Sequence, residues 1–253
     1  MRRYAGKFLI AAVLAAASLW AQEPESGPDG STKTSVPGIT VLAIPGRPFS
    51  GVDHIEWTRI GDDGSTITKH IQAQLARDSE GRVYREHHRF IAGNSQERSP
   101  MTYIHISDPT TRTQMNCYLQ TFVCNLYAYV PQTVVYPSAI GPLDNEARYR
   151  TRESLGTDQY EGFDVTRSKE VTTTRAGAVG NDRALVETRE FWYCEALQTN
   201  LKVVRNDSLT GKQVVYMTDI SLSEPNPDLF RVPIGYSVHD MRRHVRGTAY
   251  GNP

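Results

Sequence analysis

Cysteine, basic surplus and helical periodicity are all scarce in this 253-residue chain. Cys117, Cys124 and Cys194 are its only cysteines, too few for a disulfide-built scaffold. Lys plus Arg (28) exactly offset Asp plus Glu (28), whereas nucleic-acid binders carry a cationic excess that neutralises phosphates. Catalytic signatures are missing as well: there is no Gly-x-Ser-x-Gly, His-Glu-x-x-His, Walker loop or Cys-x-x-Cys. Gly177-Ala178-Val179-Gly180-Asn181-Asp182 has the glycines of a phosphate loop but runs on into a strand-like Arg183-Ala184-Leu185-Val186. Phosphate loops lead into a helix, whose N-terminus holds the anion. The expectation is therefore no enzyme, no cofactor and no nucleic-acid partner.

What is present begins with the N-terminus. Met1 to Lys7 is cationic, Phe8 to Trp20 is uncharged and apolar, and Ala21-Gln22 follows as a small-residue boundary. That order defines a cleavable secretory signal over residues 1–21, cut between Ala21 and Gln22. The apolar run is shorter than the roughly 20 residues of a spanning helix, so no membrane span is expected once the signal is removed. Its loss takes Arg2, Arg3 and Lys7 and leaves the mature chain slightly acidic. Residues 22–37, rich in Pro, Gly, Ser and Thr, read as a flexible linker. A domain over 38–238 follows, and residues 239–253, with Arg242-Arg243-His244-Val245-Arg246, read as a disordered basic tail.

Within the domain, strand-like runs alternate with turn signals. Ile71, Ala73 and Leu75 alternate with Gln72 and Gln74, a period of two that puts one face on a core and the other toward water. Asp63-Gly64, Glu80-Gly81 and Asp108-Pro109 supply reversals. Thr, Val, Tyr and Ile, which suit a pleated surface, dominate the runs up to Leu222. About ten short-looped strands without crossover helices predict a mainly β fold, one curved antiparallel sheet or half-barrel with few short helices. The concave side of such a sheet must be filled by something, and the sequence offers few helices for it.

Candidate chemistry is sparse. His87 and His88 are adjacent in a strand and face opposite ways; His70 and His105 could meet across the sheet, but nothing in their spacing demands a metal. Counting outward from Gln120-Thr121 makes Cys117 and Cys124 cross-strand partners, a geometry that admits a disulfide; two buried free thiols are the alternative. Trp57, Leu75, Trp192 and Tyr216 are candidate ligand-lining residues on a concave face.

Three stretches carry a resemblance. They are Pro48-Phe49-Ser50 leading into Ala76-Arg77-Asp78-Ser79-Glu80-Gly81-Arg82-Val83-Tyr84-Arg85-Glu86; Gly177 to Asp182 followed by Glu190-Phe191-Trp192-Tyr193-Cys194-Glu195-Ala196-Leu197-Gln198; and Glu224-Pro225-Asn226-Pro227-Asp228-Leu229-Phe230-Arg231-Val232-Pro233-Ile234-Gly235-Tyr236. Together they resemble a family of uncharacterised exported proteins of soil bacteria. More distantly, the terminal Phe-x-Val-Pro-x-Gly-Tyr edge is similar to the periplasmic lipoprotein-localisation carriers. The resemblance implies a curved half-barrel, a periplasmic or secreted location, and a non-enzymatic protein that carries or senses a lipid, lipoprotein or other apolar ligand. An envelope module that binds a protein partner, without a small ligand, is the alternative expectation.

Overall fold

The computed structural model describes residues 38–61, 63–131, 138–144 and 146–242. The signal, its cleavage site, the linker and most of the basic tail lie outside the described residues. Among the described residues, fourteen strands form one open curved sheet. The first seven are β1 (Phe49–Ile60), β2 (Thr66–Arg77), β3 (Val83–His88), β4 (Ile91–Ala92), β5 (Met101–Asp108), β6 (Thr113–Tyr118) and β7 (Val123–Ala128). The second seven are β8 (Gly141–Leu143), β9 (Arg148–Tyr160), β10 (Phe163–Thr174), β11 (Leu185–Cys194), β12 (Thr199–Asp207), β13 (Gly211–Ser221) and β14 (Ser237–Asp240). The order is β14-β7-β6-β5-β3-β2-β1-β13-β12-β11-β10-β9-β8, with β4 on β2. Two meanders, one running outward from β1 and one running inward to β13, are thus stitched along the β1–β13 pair.

Two features depart from the sequence expectation. The strands exceed ten, because Ile91–Ala92 leaves β3 to pair with β2 as β4, the long connection before Glu146 contains β8, and the C-terminus adds β14. One pair is parallel: β14 lies beside β7 with Ser237 opposite Val123. A parallel pair needs a long return, and the segment after β13 supplies it by crossing the sheet. On the way it makes a 3-10 turn over Pro227–Phe230, capped by Asn226, whose side chain accepts the Asp228 N–H.

The alternating pattern of β1 and β2 buries Phe49, Ile55 and Trp57 with Ile71, Ala73 and Leu75 on one face, which we call the inner face. Val83, Leu201, Val215 and Met217 extend this core. On the outer face of β3, β5, β6 and β7, a second cluster forms from Tyr84, Ile106, Met115, Cys117 and Cys124 under Phe230 of the 3-10 turn. Cys117 and Cys124 are direct partners in the β6–β7 register, with Cα atoms 3.9 Å apart and their sulfurs joined. Cys194 is a buried free thiol.

Among the described residues, no helix covers the inner core. Residues 38–47 do so instead, as an extended strap that seats Ile39 and Val41 among the core side chains. Burying such side chains contributes roughly 1.5–3 kcal/mol each. Two glycines permit the fit. A Cβ on Gly38 would stand 2.3 Å from Asp53 Oδ2, and one on Gly81 (φ +83°) 2.9 Å from the strap backbone at Ile44.

Candidate functional site

Three charged side chains inside the core tether the strap. Asp53 shares the inward phase of Phe49, Ile55 and Trp57, and its Oδ2 accepts the Ile39 N–H (3.1 Å) and an Arg85 guanidinium N–H (3.2 Å). Arg85 also donates to the Ile39 carbonyl. Burial pushes the Asp53 carboxyl up to about 6, against the opposing pull of Arg85 and the Ile39 N–H. Arg77 is wholly enclosed over the Phe49 ring, with no carboxylate partner among its hydrogen bonds. Its guanidinium donates to three carbonyls: Arg47 O (2.9 Å) and Leu42 O (3.1 Å) of the strap, and Leu197 O (2.8 Å) of the β11–β12 turn. Burial lowers its pKa to about 10. Thr199 donates to Thr40 O, and Arg47 to Glu195 O and Ala196 O. The strap is therefore bound at both ends and in the middle.

The strap fills the hollow at its centre. Beside it, the gap bounded by Val41, Ala43, His105, Gln114 and Tyr129 is about 20 Å³, room for about one water. On either side of the strap the inner face turns polar. Toward β7 it carries His87, Tyr103, His105, Asn116 and Tyr118. Toward β9 it carries a charge lattice: Arg205 bridges Glu187 and Asp207, Arg189 pairs with Glu187, and Arg152 pairs with buried Glu170 at 2.5 Å.

The four residues read from sequence as ligand-lining divide between the faces. Trp57 (7% exposed) and Leu75 (1% exposed) lie in the strap-covered core, and the Trp57 indole N–H donates to Thr210 O at 2.6 Å. Tyr216 and Trp192 lie in a row of directly opposed residues on the outer face: His54, Tyr216, Lys202, Trp192 and Arg167, on β1, β13, β12, β11 and β10. His54 stacks on Tyr216 at 4.8 Å. Lys202 and Arg167 stand 5.0 and 4.7 Å from the Trp192 ring centre. Cation–π pairs of this kind contribute about 0.5–1 kcal/mol each when exposed. Tyr216 donates to Glu56 at 3.0 Å, and Arg167 pairs with Asp158. Following rows on the same face bring Val204, Val214, Val171, and the exposed Val186 and Tyr149. A shallow open groove of about 350 Å³ runs past Val186, Thr188, Asn206 and Lys212.

One constellation imitates a hydrolase triad. His88 lies between Glu86 Oε2 (3.0 Å, from Nε2) and Ser99, whose Oγ is 3.3 Å from Nδ1. The geometry rules against nucleophilic chemistry. Nδ1 is closer still to the Ser99 carbonyl, at 2.6 Å, and can only donate to it. The Ser99 hydroxyl donates to Gln72 O and accepts the Gln72 N–H, and the residue is 6% exposed. Both ring nitrogens of His88 face acceptors: burial disfavours the charged ring, but Glu86 and the Ser99 carbonyl hold its pKa above the ordinary value. Glu86 and Ser99 instead close the gap where β2 and β3 diverge, since Glu86 also accepts the Gln74 N–H. Among the described residues, no group of three or more His, Cys, Asp or Glu is arranged to hold a metal, and no helix is long and apolar enough to cross a membrane.

No family model and no curated protein matches this sequence. Solved structures resemble the fold at low identity. An uncharacterised conserved protein from Thermus thermophilus is 12% identical, with 77% of this chain aligned to 90% of that one at a TM-score of 0.41. MucB in the MucA/MucB complex of Pseudomonas aeruginosa is 13% identical over 75% of this chain, at a TM-score of 0.37. The chain spans only 56% of that protein's length. Lipoprotein LppX of Mycobacterium tuberculosis is 11% identical over 72% of this chain and 90% of its own, at a TM-score of 0.32. These likenesses concern the sheet alone and carry no functional weight here.

Proposed function

We propose that this is an exported, non-enzymatic binding protein of the cell envelope that meets a protein partner on the outer face of β9–β13. The observation that carries this reading is the strap: the protein's own residues 38–47 occupy the apolar part of the inner face, while the described residues leave the outer face of those strands uncovered. Five strands about 4.8 Å apart, over some six residues of 3.3 Å rise, give roughly 500 Å² of flat sheet. With side-chain relief this approaches the ~800 Å² that one partner of a stable interface loses. Aromatic and Arg side chains, enriched in interface cores, sit along the His54–Arg167 row. Export rests on the cationic and apolar segments of residues 1–20.

Lipid carriage is the competing reading, and it requires the strap to leave. A photo-crosslinking side chain placed at Val186 or Lys202, in cells expressing the full chain, is expected to capture one envelope protein, while native mass spectrometry of the mature chain finds no bound lipid. Copurifying lipid that crosslinks to a probe at Val41, with none captured at Val186 or Lys202, overturns the proposal in favour of carriage.

A further inference from the structure

β2 and β3 run as a ladder through Arg77–Val83, Ala76–Tyr84 and Leu75–Arg85 and then part. Farther along, β2 takes β4 as its neighbour instead, at His70 and Lys69. Side chains close the slit between. Glu86 Oε2 accepts the Gln74 N–H at 2.9 Å, and the Ser99 hydroxyl accepts the Gln72 N–H and donates to the Gln72 carbonyl, each at 3.2 Å. His88 joins these two plugs: its Nε2 stands 3.0 Å from Glu86 Oε2 and its Nδ1 2.6 Å from the Ser99 carbonyl. The pair is well enclosed, with the His88 side chain 11% and the Glu86 side chain 14% exposed.

Proton count decides whether this seam holds. A carbonyl oxygen can only accept a hydrogen bond, and so can an ionised carboxylate. A neutral ring has one N–H to offer, so bridging both oxygens takes one proton more, shared by His88 and Glu86. Once it leaves, a ring lone pair faces an oxygen lone pair, and an enclosed polar group left unpaired is costly. The ionisable neighbours that bear on the pair are Tyr84, whose hydroxyl donates to Glu86 Oε1 at 3.1 Å, and His87, on the other face of β3. β2 contributes the Gln72 and Gln74 backbone, β5 sets Met101 opposite His88, and the segment leading into β5 contributes Ser99. Burial disfavours both charges, but their mutual contact, with the Ser99 carbonyl and the Gln74 N–H, outweighs it; the His88 pKa is raised and that of Glu86 lowered.

We propose that the Glu86–His88–Ser99 seam is a pH-sensitive latch, which opens the slit between β2 and β3 as the medium turns alkaline. The His88 contribution is fully present below its ordinary value of 6.5 and is lost as pH rises through the raised value of the closed form. The Glu86 contribution is present above its ordinary value of 4.5 and is lost as pH falls through the lowered one. Between those limits the latch is closed. The rung bordering the slit is Leu75–Arg85, and Arg85 holds both Asp53 and the Ile39 carbonyl of the strap. A slit that lengthens by one rung therefore reaches the strap tether. The latch stands or falls independently of the proposed docking surface on β9–β13.

The test follows the Gln72 and Gln74 amides of the mature chain by hydrogen exchange from about pH 5.5 to pH 8.5, each rate divided by that of an unfolded peptide so that base catalysis cancels. Their protection is expected to fall up to about tenfold per pH unit above 6.5, the slope for one proton held only in the closed form. It should stay below that of the β1–β13 amides, which marks a local opening. Ring 15N spectra should show His88 protonated on both nitrogens at about pH 6 and losing one proton where protection levels off. His88→Gln should lower the protection and remove the slope, whereas His239→Gln on β14 leaves the wild-type profile. Should His88→Gln fail to fold, Glu86→Gln, which can still accept the Gln74 N–H, is expected to move the His88 midpoint downward. The latch is refuted if the two amides exchange no faster than those of β1 and β13, if His88→Gln keeps the wild-type slope, or if the His88 ring holds a single proton across the whole range.

Discussion

Asp53 is a carboxylate sealed beneath the strap, and its titration should be visible in the stability of the whole domain. Its pKa rises from 3.8 to about 6, chiefly through burial. Between those values the folded state holds a proton that the unfolded chain has released. The contribution of this group is therefore fully present below pH 3.8 and is lost as pH rises through about 6. At about 1.4 kcal/mol per unit, the shift corresponds to about 3 kcal/mol. The wild-type curve alone will conceal it. Burial also pushes His87 down to about 4 from 6.5, and this group favours folding as pH rises over much of the same window. The two slopes oppose each other. Asp53→Asn removes one of them and retains a side chain of the same shape that can still accept the Ile39 N–H. Urea unfolding of both proteins from about pH 4 to pH 8 should show the wild-type advantage shrinking by about 3 kcal/mol as pH rises. Two curves that stay parallel across that range would show that Asp53 does not titrate inside a closed strap, and the argument for strap tethering would lose its central member.

Further perturbations address the other supports. Arg77→Met keeps the stem over Phe49 but orphans three carbonyls; at about 1–3 kcal/mol for each buried unsatisfied group, partly offset by the relieved burial of a charge, it should cost about 3 kcal/mol by urea unfolding and expose the strap to limited proteolysis. Replacing Cys117 and Cys124 together by Ala opens a loop of about eight residues and should lower stability by about 2.5 kcal/mol on the chain-entropy account, read against the reduced wild type, which should match the variant. His88→Ala unpairs Glu86 and should loosen the segment around Ser99, detected as faster hydrogen exchange at the Gln72 and Gln74 amides, whereas Ser99→Ala should change no hydrolytic activity toward ester probes. Lys202→Ala should reduce capture of the envelope partner by the probe at Val186 while shifting the unfolding midpoint only slightly, since its cation–π contacts with Trp192 and Tyr160 are worth about 0.5–1 kcal/mol each.

Much of the sheet was legible because its chemistry is local. Alternation in β1 and β2, the glycine turns at Gly64 and Gly81, and the symmetric count from Gln120-Thr121 each depend on a few consecutive residues. The strap was not legible in this way. Residues 38–47 have no period, and what holds them is remote: Asp53 is 14 positions from Ile39, Arg77 is 35 from Leu42, and Leu197 is 120 from Arg77. A signal was nevertheless present. Asp53 stands in the inward phase of Phe49, Ile55 and Trp57, and Arg77 in that of Ile71, Ala73 and Leu75. A charge in the core phase of a strand requires an internal partner, and here the partner is mostly backbone carbonyl and N–H brought in by a segment without structure of its own. The parallel strand β14 escaped notice for a related reason: four residues, Ser237–Asp240, have no pattern until the segment before them has crossed the sheet.

The division of the inner face bears on what such a sheet can bind. An acyl chain needs an apolar channel long enough to shield it, at about 0.8 kcal/mol per buried methylene. The apolar part of this face is a central strip, and residues 38–47 lie along it. Beyond the strip, toward β9, the face is set with Arg152, Arg189, Arg205, Glu170 and Glu187; toward β7 it is set with His, Tyr and Asn side chains. Removing the strap would thus uncover a short greasy patch between two polar fields, while taking from Asp53 the Ile39 N–H and from Arg77 two of its three carbonyl partners. Each of those two losses costs on the order of 1–3 kcal/mol or more, comparable to the gain from several buried methylenes. A ligand able to displace the strap would have to replace its carbonyls and N–H groups as well as its two apolar side chains, which describes an extended peptide better than a lipid tail. A synthetic peptide of residues 38–47, added to a chain truncated before Phe49, should therefore restore the unfolding midpoint of that chain, and a free fatty acid should not.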